Sequence, residues 1–154
     1  MQILVAVVGK PRDAALAAAI HEYETRAARY WPLEVREARE EPGRSLSPDT
    51  VRAREAERLV AKLPAGAHIV ACEQGGQMMT SESFAAWLQR QREAARDVAF
   101  VIGGAFGLGE IVRTRAMTAV SLAPWTLPHE LARLVLAEQL YRAGTIVRRE
   151  PYHK

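Results

Sequence analysis

Glu138 and Arg142 stand four residues apart, in the order that favours an ion pair along a helix, and continue a stripe that begins with Leu131 and Val135. Soon afterwards the chain closes on Pro151-Tyr152-His153-Lys154. A carboxylate, a guanidinium, a phenol and an imidazole this close in sequence can move a proton or steady an anion. The plainer reading is a surface pair followed by a solvated tail. Two features weigh against it. The pair sits on a stripe that began apolar, which implies partial burial or an interface, and His153 has no structural duty visible in the sequence. His129, in the first turn of the same segment, is either a helix-start residue or a further candidate.

A second group of residues has the character of a binding site. The segment Gly103-Gly104-Ala105-Phe106-Gly107-Leu108-Gly109 lies where the apolar run Val98–Ile102 gives way to a helical pattern. In open parallel sheets ligands bind beyond the carboxyl ends of strands, and glycine lets the backbone approach them. The spacing is not that of a dinucleotide fingerprint, and no Gly-Lys-Ser/Thr phosphate loop is present. The glycines are otherwise read as tight turns. Cys72 ends another apolar run, and Leu122-Ala123-Pro124-Trp125-Thr126-Leu127 follows a third. These three strand ends are candidates for one pocket. Backbone amides and carbonyls of 122–127 suit the edge of an adenine, with Trp125 or Leu127 as an apolar wall. A place for Trp125 in the core is equally consistent with the sequence.

The elements that must position these groups follow from periodicity. Ile3–Val8 is a continuous apolar run, as in a strand buried on both faces. Ala14–Arg29 is helical, with Ala17, Ile20 and Ala27 inward and His21, Glu22 and Arg26 outside. Leu33–Arg36 is a short strand, and Glu40–Ser47 a charged loop. Ser47 caps a helix that starts on Pro48 and runs to about Leu63. Ile69–Cys72 is a strand followed by a turn at Gln74-Gly75-Gly76-Gln77. Thr80–Arg92 is a helix, Val98–Ile102 a strand, Gly109–Arg115 a short helix, Ala119–Leu122 a strand and Pro128–Ile146 the last helix. This alternation predicts an α/β fold, a mainly parallel sheet with helices on both faces.

The chain has 154 residues, one domain's length, enough to bury roughly 68–70% of its unfolded surface. Residues 1–154 read as a single domain. Apolar residues are 49% and charged residues 25%, an ordinary globular balance. No apolar run approaches the roughly 20 residues of a membrane span. Met1–Val8 reads as a strand rather than a leader, and the single cysteine, Cys72, excludes an internal disulfide and offers no metal cluster. These features predict a cytoplasmic protein without a membrane partner. Between Leu140 and Lys154, four basic side chains face one acid, a surplus equal to the whole net charge of +3. Such asymmetry suits a polyanion met at one place.

Ile102-Gly-Gly-x-x-Gly107, Thr126-Leu-Pro-His129, Glu138-Gln-Leu-Tyr-Arg-Ala143 and Pro151-Tyr-His-Lys154 together resemble the RlmH family of SPOUT-class methyltransferases, across essentially the whole chain. The resemblance implies N3 methylation of a pseudouridine in large-subunit ribosomal RNA on the assembled ribosome. It also implies a homodimer, a C-terminal deep trefoil knot, and S-adenosylmethionine as cofactor. Knots are avoided by most folds, and nothing in the residue pattern reveals one. On this chain the implied cofactor contacts are Cys72, Gly103 and Leu122 through Leu127; the family more often has leucine where Cys72 stands. The acceptor imide must lose its N3 proton, to a base or with positive charge nearby. His153, His129 and Glu138 are the base candidates, Arg142 stabilises charge or orients the acid, and Tyr152 stacks or hydrogen-bonds. Two further expectations are that one protomer's tail helps build its partner's site, and that Arg26, Arg29, Arg148 and Arg149 meet phosphates. The alternatives are a SPOUT enzyme acting on transfer RNA or another ribosomal site, and a non-catalytic ribosome-assembly factor.

Overall fold

The computed structural model describes residues 1–153; Lys154, counted in the basic tail, lies outside the described residues. Five strands form one sheet in the order β2-β1-β4-β3-β5, and every pairing is parallel. They are β1 (Ile3–Val8), β2 (Leu33–Ala38), β3 (His68–Met78), β4 (Val98–Ile102) and β5 (Thr118–Ser121). The helices are α1 (Ala14–Ala27), α2 (Pro48–Val60), α3 (Ser81–Glu93), α4 (Glu110–Arg115) and α5 (His129–Val147).

Local chemistry starts the first three helices where the sequence indicated. Asp13 accepts the Leu16 amide at 2.8 Å, Ser47 accepts that of Thr50 at 3.2 Å with Pro48 next in line, and Thr80 and Ser83 cap each other reciprocally. The interior strands β1 and β4 are wholly buried. Period-2 alternation divides β1 between two layers: Ile3, Val5 and Val7 join a core with α1, α3 and α5, while Ala6 and Val8 join one with α2 and α4.

The turn expected at Gln74–Gln77 is instead part of β3. The strand runs on to Met78, and both Cys72 and Gln77 lie opposite Val120 across a register shift. Gly76 explains the difference, because a Cβ there would sit 2.6 Å from the Val120 backbone nitrogen and carbonyl carbon. The glycine pair marks a bulge where two strands come close, not a chain reversal.

Helix α5 packs on α1 and α3. The Trp31 indole donates to the Leu140 carbonyl at 2.8 Å, and Gly144 leaves room for the Tyr30 ring. Arg133, 8% exposed, donates to Glu24 of α1 at 2.7 Å and Glu37 of β2 at 2.9 Å. These contacts set where α5 begins and where the tail emerges. Among the described residues no helix is long and apolar enough to cross a membrane.

Candidate active site

Because β4, β3 and β5 are neighbours, their carboxyl ends share one sheet edge. The segments leaving them enclose a cleft of about 650 Å³. Cys72, Gly103, Leu122, Ala123, Trp125, Thr126 and Leu127 line it, as the sequence reading expected; Pro124 does not. Pro124 acts through its carbonyl instead. Gln74 of the β3 bulge donates to that carbonyl at 3.0 Å and accepts from the Thr126 hydroxyl at 3.0 Å, so one side chain holds both ends of the 124–126 segment.

The glycine wall combines both readings of that cluster. The Gly107 amide donates to the Gly104 carbonyl at 3.0 Å, with Gly107 at φ +82°, so the segment is a tight turn. It also lines the cleft, and a Cβ on Gly103 would lie 2.5 Å from the Gly107 carbonyl group. Trp125 is 78% exposed, so it is not a core aromatic. Desolvation pushes the Cys72 thiol up to about 12, leaving it an uncharged wall at neutral pH rather than a nucleophile. An ion pair between Arg113 and Glu73 at 2.8 Å, together with His129, supplies the ionisable groups of the lining. Sequence reasoning missed Glu73, Gln74 and Arg113. Gln74 beside the glycine pair was the available local signal, whereas Arg113 is brought there only by the packing of α4 beside β3.

The tail residues assemble elsewhere. Arg142 donates to Glu138 through Nε at 3.0 Å and Nη2 at 2.5 Å, and its guanidinium lies 4.7 Å from the Tyr152 ring centre. The Tyr152 hydroxyl donates to the same Glu138 oxygen at 3.1 Å, and Gln139 donates to the other at 2.8 Å. His153 Nδ1 is 3.3 Å from Arg142 Nη1 and Nε2 is 2.8 Å from Glu82 Oε1. Guanidinium can only donate, so Nδ1 accepts and Nε2 carries the proton given to Glu82; this tautomer is assigned from its partners. Glu82, in the first turn of α3, was not singled out by the sequence, since an acid there reads as a helix-start residue.

These contacts separate roles the sequence left open. Both carboxylate oxygens of Glu138 accept hydrogen bonds, so it holds Arg142 and Tyr152 together. Burial, then hydrogen bonds with Tyr23 and Glu138, push the Tyr152 phenol well above its ordinary value, so it stays protonated and can donate. The Arg142 charge is reinforced chiefly by Glu138. Thus Glu138, Arg142, Tyr152 and His153 come together as expected, whereas His129 lines the cleft and shares no hydrogen bond with them among the described residues. Neither Glu82 nor any of those four lines the cleft of its own chain.

The family model described as predicted SPOUT methyltransferase matches residues 1–153. The chain belongs to that family. It is 68% identical, over the full length of both chains, to the ribosomal RNA large subunit methyltransferase H of Gemmatimonas aurantiaca. It is 46% identical, again over the full length of both, to the protein of that name from an Anaeromyxobacter species. Among solved structures it is similar to a probable methyltransferase from Bordetella pertussis, with a TM-score of 0.56 at 15% identity, covering 93% of this chain and 94% of that one. A Legionella pneumophila methyltransferase structure with bound S-adenosylmethionine gives a TM-score of 0.50 at 11% identity, covering 93% of this chain and 66% of that one. These two likenesses concern the fold. The SPOUT family match takes in the cleft, the β3 bulge and the tail cluster together.

Proposed function

We infer that residues 1–154 form a single SPOUT domain that transfers a methyl group from S-adenosylmethionine to N3 of a pseudouridine in large-subunit ribosomal RNA, on the assembled ribosome. Full-length identity of 68% to a protein named for large-subunit ribosomal RNA methylation carries this reading. The cleft suits the cofactor on physical grounds. Its volume falls in the roughly 300–1,000 Å³ range of small-molecule sites. Its wall combines glycine backbone, the loop 122–127 and an exposed indole able to lie against a purine. When bound, S-adenosylmethionine supplies an electrophilic sulfonium methyl.

The chain's own residues then have to orient the acceptor and take up its N3 proton, since in-line displacement needs alignment more than covalent help. Arg142, held by Glu138, presents fixed positive charge to a developing uracil anion. Tyr152 donates a hydrogen bond or stacks on the base. His153 accepts the imide proton at Nδ1 once that nitrogen leaves Arg142, with Glu82 keeping the ring oriented through Nε2.

Because the tail cluster and the cleft share no lining residue within one chain, the complete site is composed across a homodimer, one protomer's tail meeting its partner's cleft. The same reading gives the C-terminal segment a deep trefoil knot. Loop 122–127 is held to the β3 bulge through Gln74, and α5 packs on α1 and α3. At the far end of α5, Arg148 Nη2 reaches the Arg29 carbonyl at 3.4 Å. In this reading Arg26, Arg29, Arg148 and Arg149 supply the phosphate contacts.

Mixing two inactive variants tests the composite site. Gly103→Ala blocks the cleft and removal of residues 151–154 deletes the tail. A re-equilibrated mixture is expected to regain roughly a quarter of wild-type activity, from the heterodimers with one intact composite site. No recovery in a mixture shown to exchange subunits contradicts the shared site.

A further inference from the structure

Glu55 is the buried charged residue of α2, 3% exposed, and the chemistry above leaves it unused. Its Oε1 accepts the Glu41 backbone amide at 3.1 Å, while Oε2 is buried without a partner among the described residues. That oxygen presses on the cofactor wall, since a Cβ added to Gly104 would lie 2.5 Å from Oε2 and 3.2 Å from Cδ. Neighbouring contacts repeat the pattern. A Cβ on Gly109 would meet Ala56 at 2.6 Å, Arg52 Nη1 reaches the Phe106 carbonyl at 3.5 Å, and Arg58 holds both Glu41 and the Arg39 carbonyl. One face of α2 therefore touches the segment after β2 on one side and the segment after β4 on the other. Glu55 is the residue that touches both.

We propose that Glu55 is a positioning residue for the cofactor cleft, tying the glycine wall 103–107 to the segment 39–43 through its carboxyl group. This rests on the cofactor assignment above. Leaving one oxygen of a buried carboxylate bare is costly, and an apolar side chain of similar length would avoid the cost. Burial pushes this carboxyl above its ordinary range. The nearby Glu40 charge adds to the rise, and the Glu41 amide, Arg58 and His129 oppose it. Glutamine keeps the acceptor for the Glu41 amide and fills the same space under Gly104.

Two variants of the full-length protein separate a polar tie from mere bulk. Glu55→Gln preserves the shape and the acceptor; Glu55→Met preserves length and volume but accepts nothing. Calorimetric titration with S-adenosylmethionine is expected to show Glu55→Gln within threefold of wild type and Glu55→Met at least tenfold weaker, with both folded. Hydrogen exchange on the cofactor-free proteins is expected to speed up at amides 39–43 and 103–107 in Glu55→Met alone. The proposal is overturned if Glu55→Met keeps both affinity and protection, or if Glu55→Gln loses as much as Glu55→Met. If wild type fails to bind S-adenosylmethionine, the cofactor assignment falls, and the exchange measurement still decides the role of Glu55.

Discussion

Arg142 uses all three of its guanidinium nitrogens: two grip Glu138 and the third faces His153. Lysine would keep the charge but not that fork, so Arg142→Lys is a stringent test of geometry. Arg142→Lys is expected to lower single-turnover methyl transfer by about 10²-fold, the scale of losing one preorganised donor, with the S-adenosylmethionine Kd unchanged. A comparable loss in cofactor affinity would instead put Arg142 in binding. Glu82 makes a separate prediction about pH. Its carboxyl is held down at about 2, chiefly by its own backbone amide and then by His153 and Thr80. A folded-state value below the ordinary 4.5 means that the tail contact is fully present above 4.5 and fades as pH falls from there to about 2. Tail resonances of Tyr152 and His153 should shift across that window in wild type and not in Glu82→Gln. Glu82 is exposed, so added salt should weaken the effect.

At the scale of elements, the β3 bulge decides where the segment 122–127 begins. Gly76→Ala places a methyl 2.6 Å from the Val120 backbone, which can yield only if β5 moves. The expected cost is roughly 1–3 kcal/mol of stability by urea unfolding, together with weaker cofactor binding, because 122–127 continues from β5. Unchanged stability would mean that the strands are not so close. Gly75→Ala is the control, since nothing lies within 4 Å of a Cβ there. The bulge also shows what the sequence could reveal. The apolar runs of β1 and β4 and the Ser47-Pro48 start are local signals and were readable. A glycine pair after a strand reads the same whether it turns the chain or admits a neighbouring strand, so β3 was read as ending near Cys72. Arg133 with Glu24 and Glu37, Glu82 with His153, and Glu55 with Gly104 join residues far apart in sequence. No periodicity encodes such contacts before the topology is known.

Over the whole molecule, the chain carries two separate groups of candidate residues: a cleft at the carboxyl edge of the sheet and a polar cluster where α5, α3 and the tail meet. Part of each group was legible in sequence, from strand ends in one case and from the Glu138–Arg142 spacing with the tail in the other, while Glu73, Arg113 and Glu82 were not. Nor was the separation of the two groups within one chain, because it depends on how α5 crosses the sheet. The proposed phosphate contacts make the molecular-scale prediction. Replacing Arg29, Arg148 and Arg149 by glutamine should weaken ribosome binding and reduce its salt dependence, with S-adenosylmethionine affinity unaffected. An unchanged salt slope would remove these side chains from the RNA contact. The central claim is tested most directly by incubating the purified protein with methyl-labelled S-adenosylmethionine and intact ribosomes, separated subunits or transfer RNA, then mapping the label. Label at N3 of one pseudouridine of the large-subunit RNA, dependent on intact ribosomes, is the predicted result. Label on transfer RNA, or none on ribosomes that lack the modification, would contradict it.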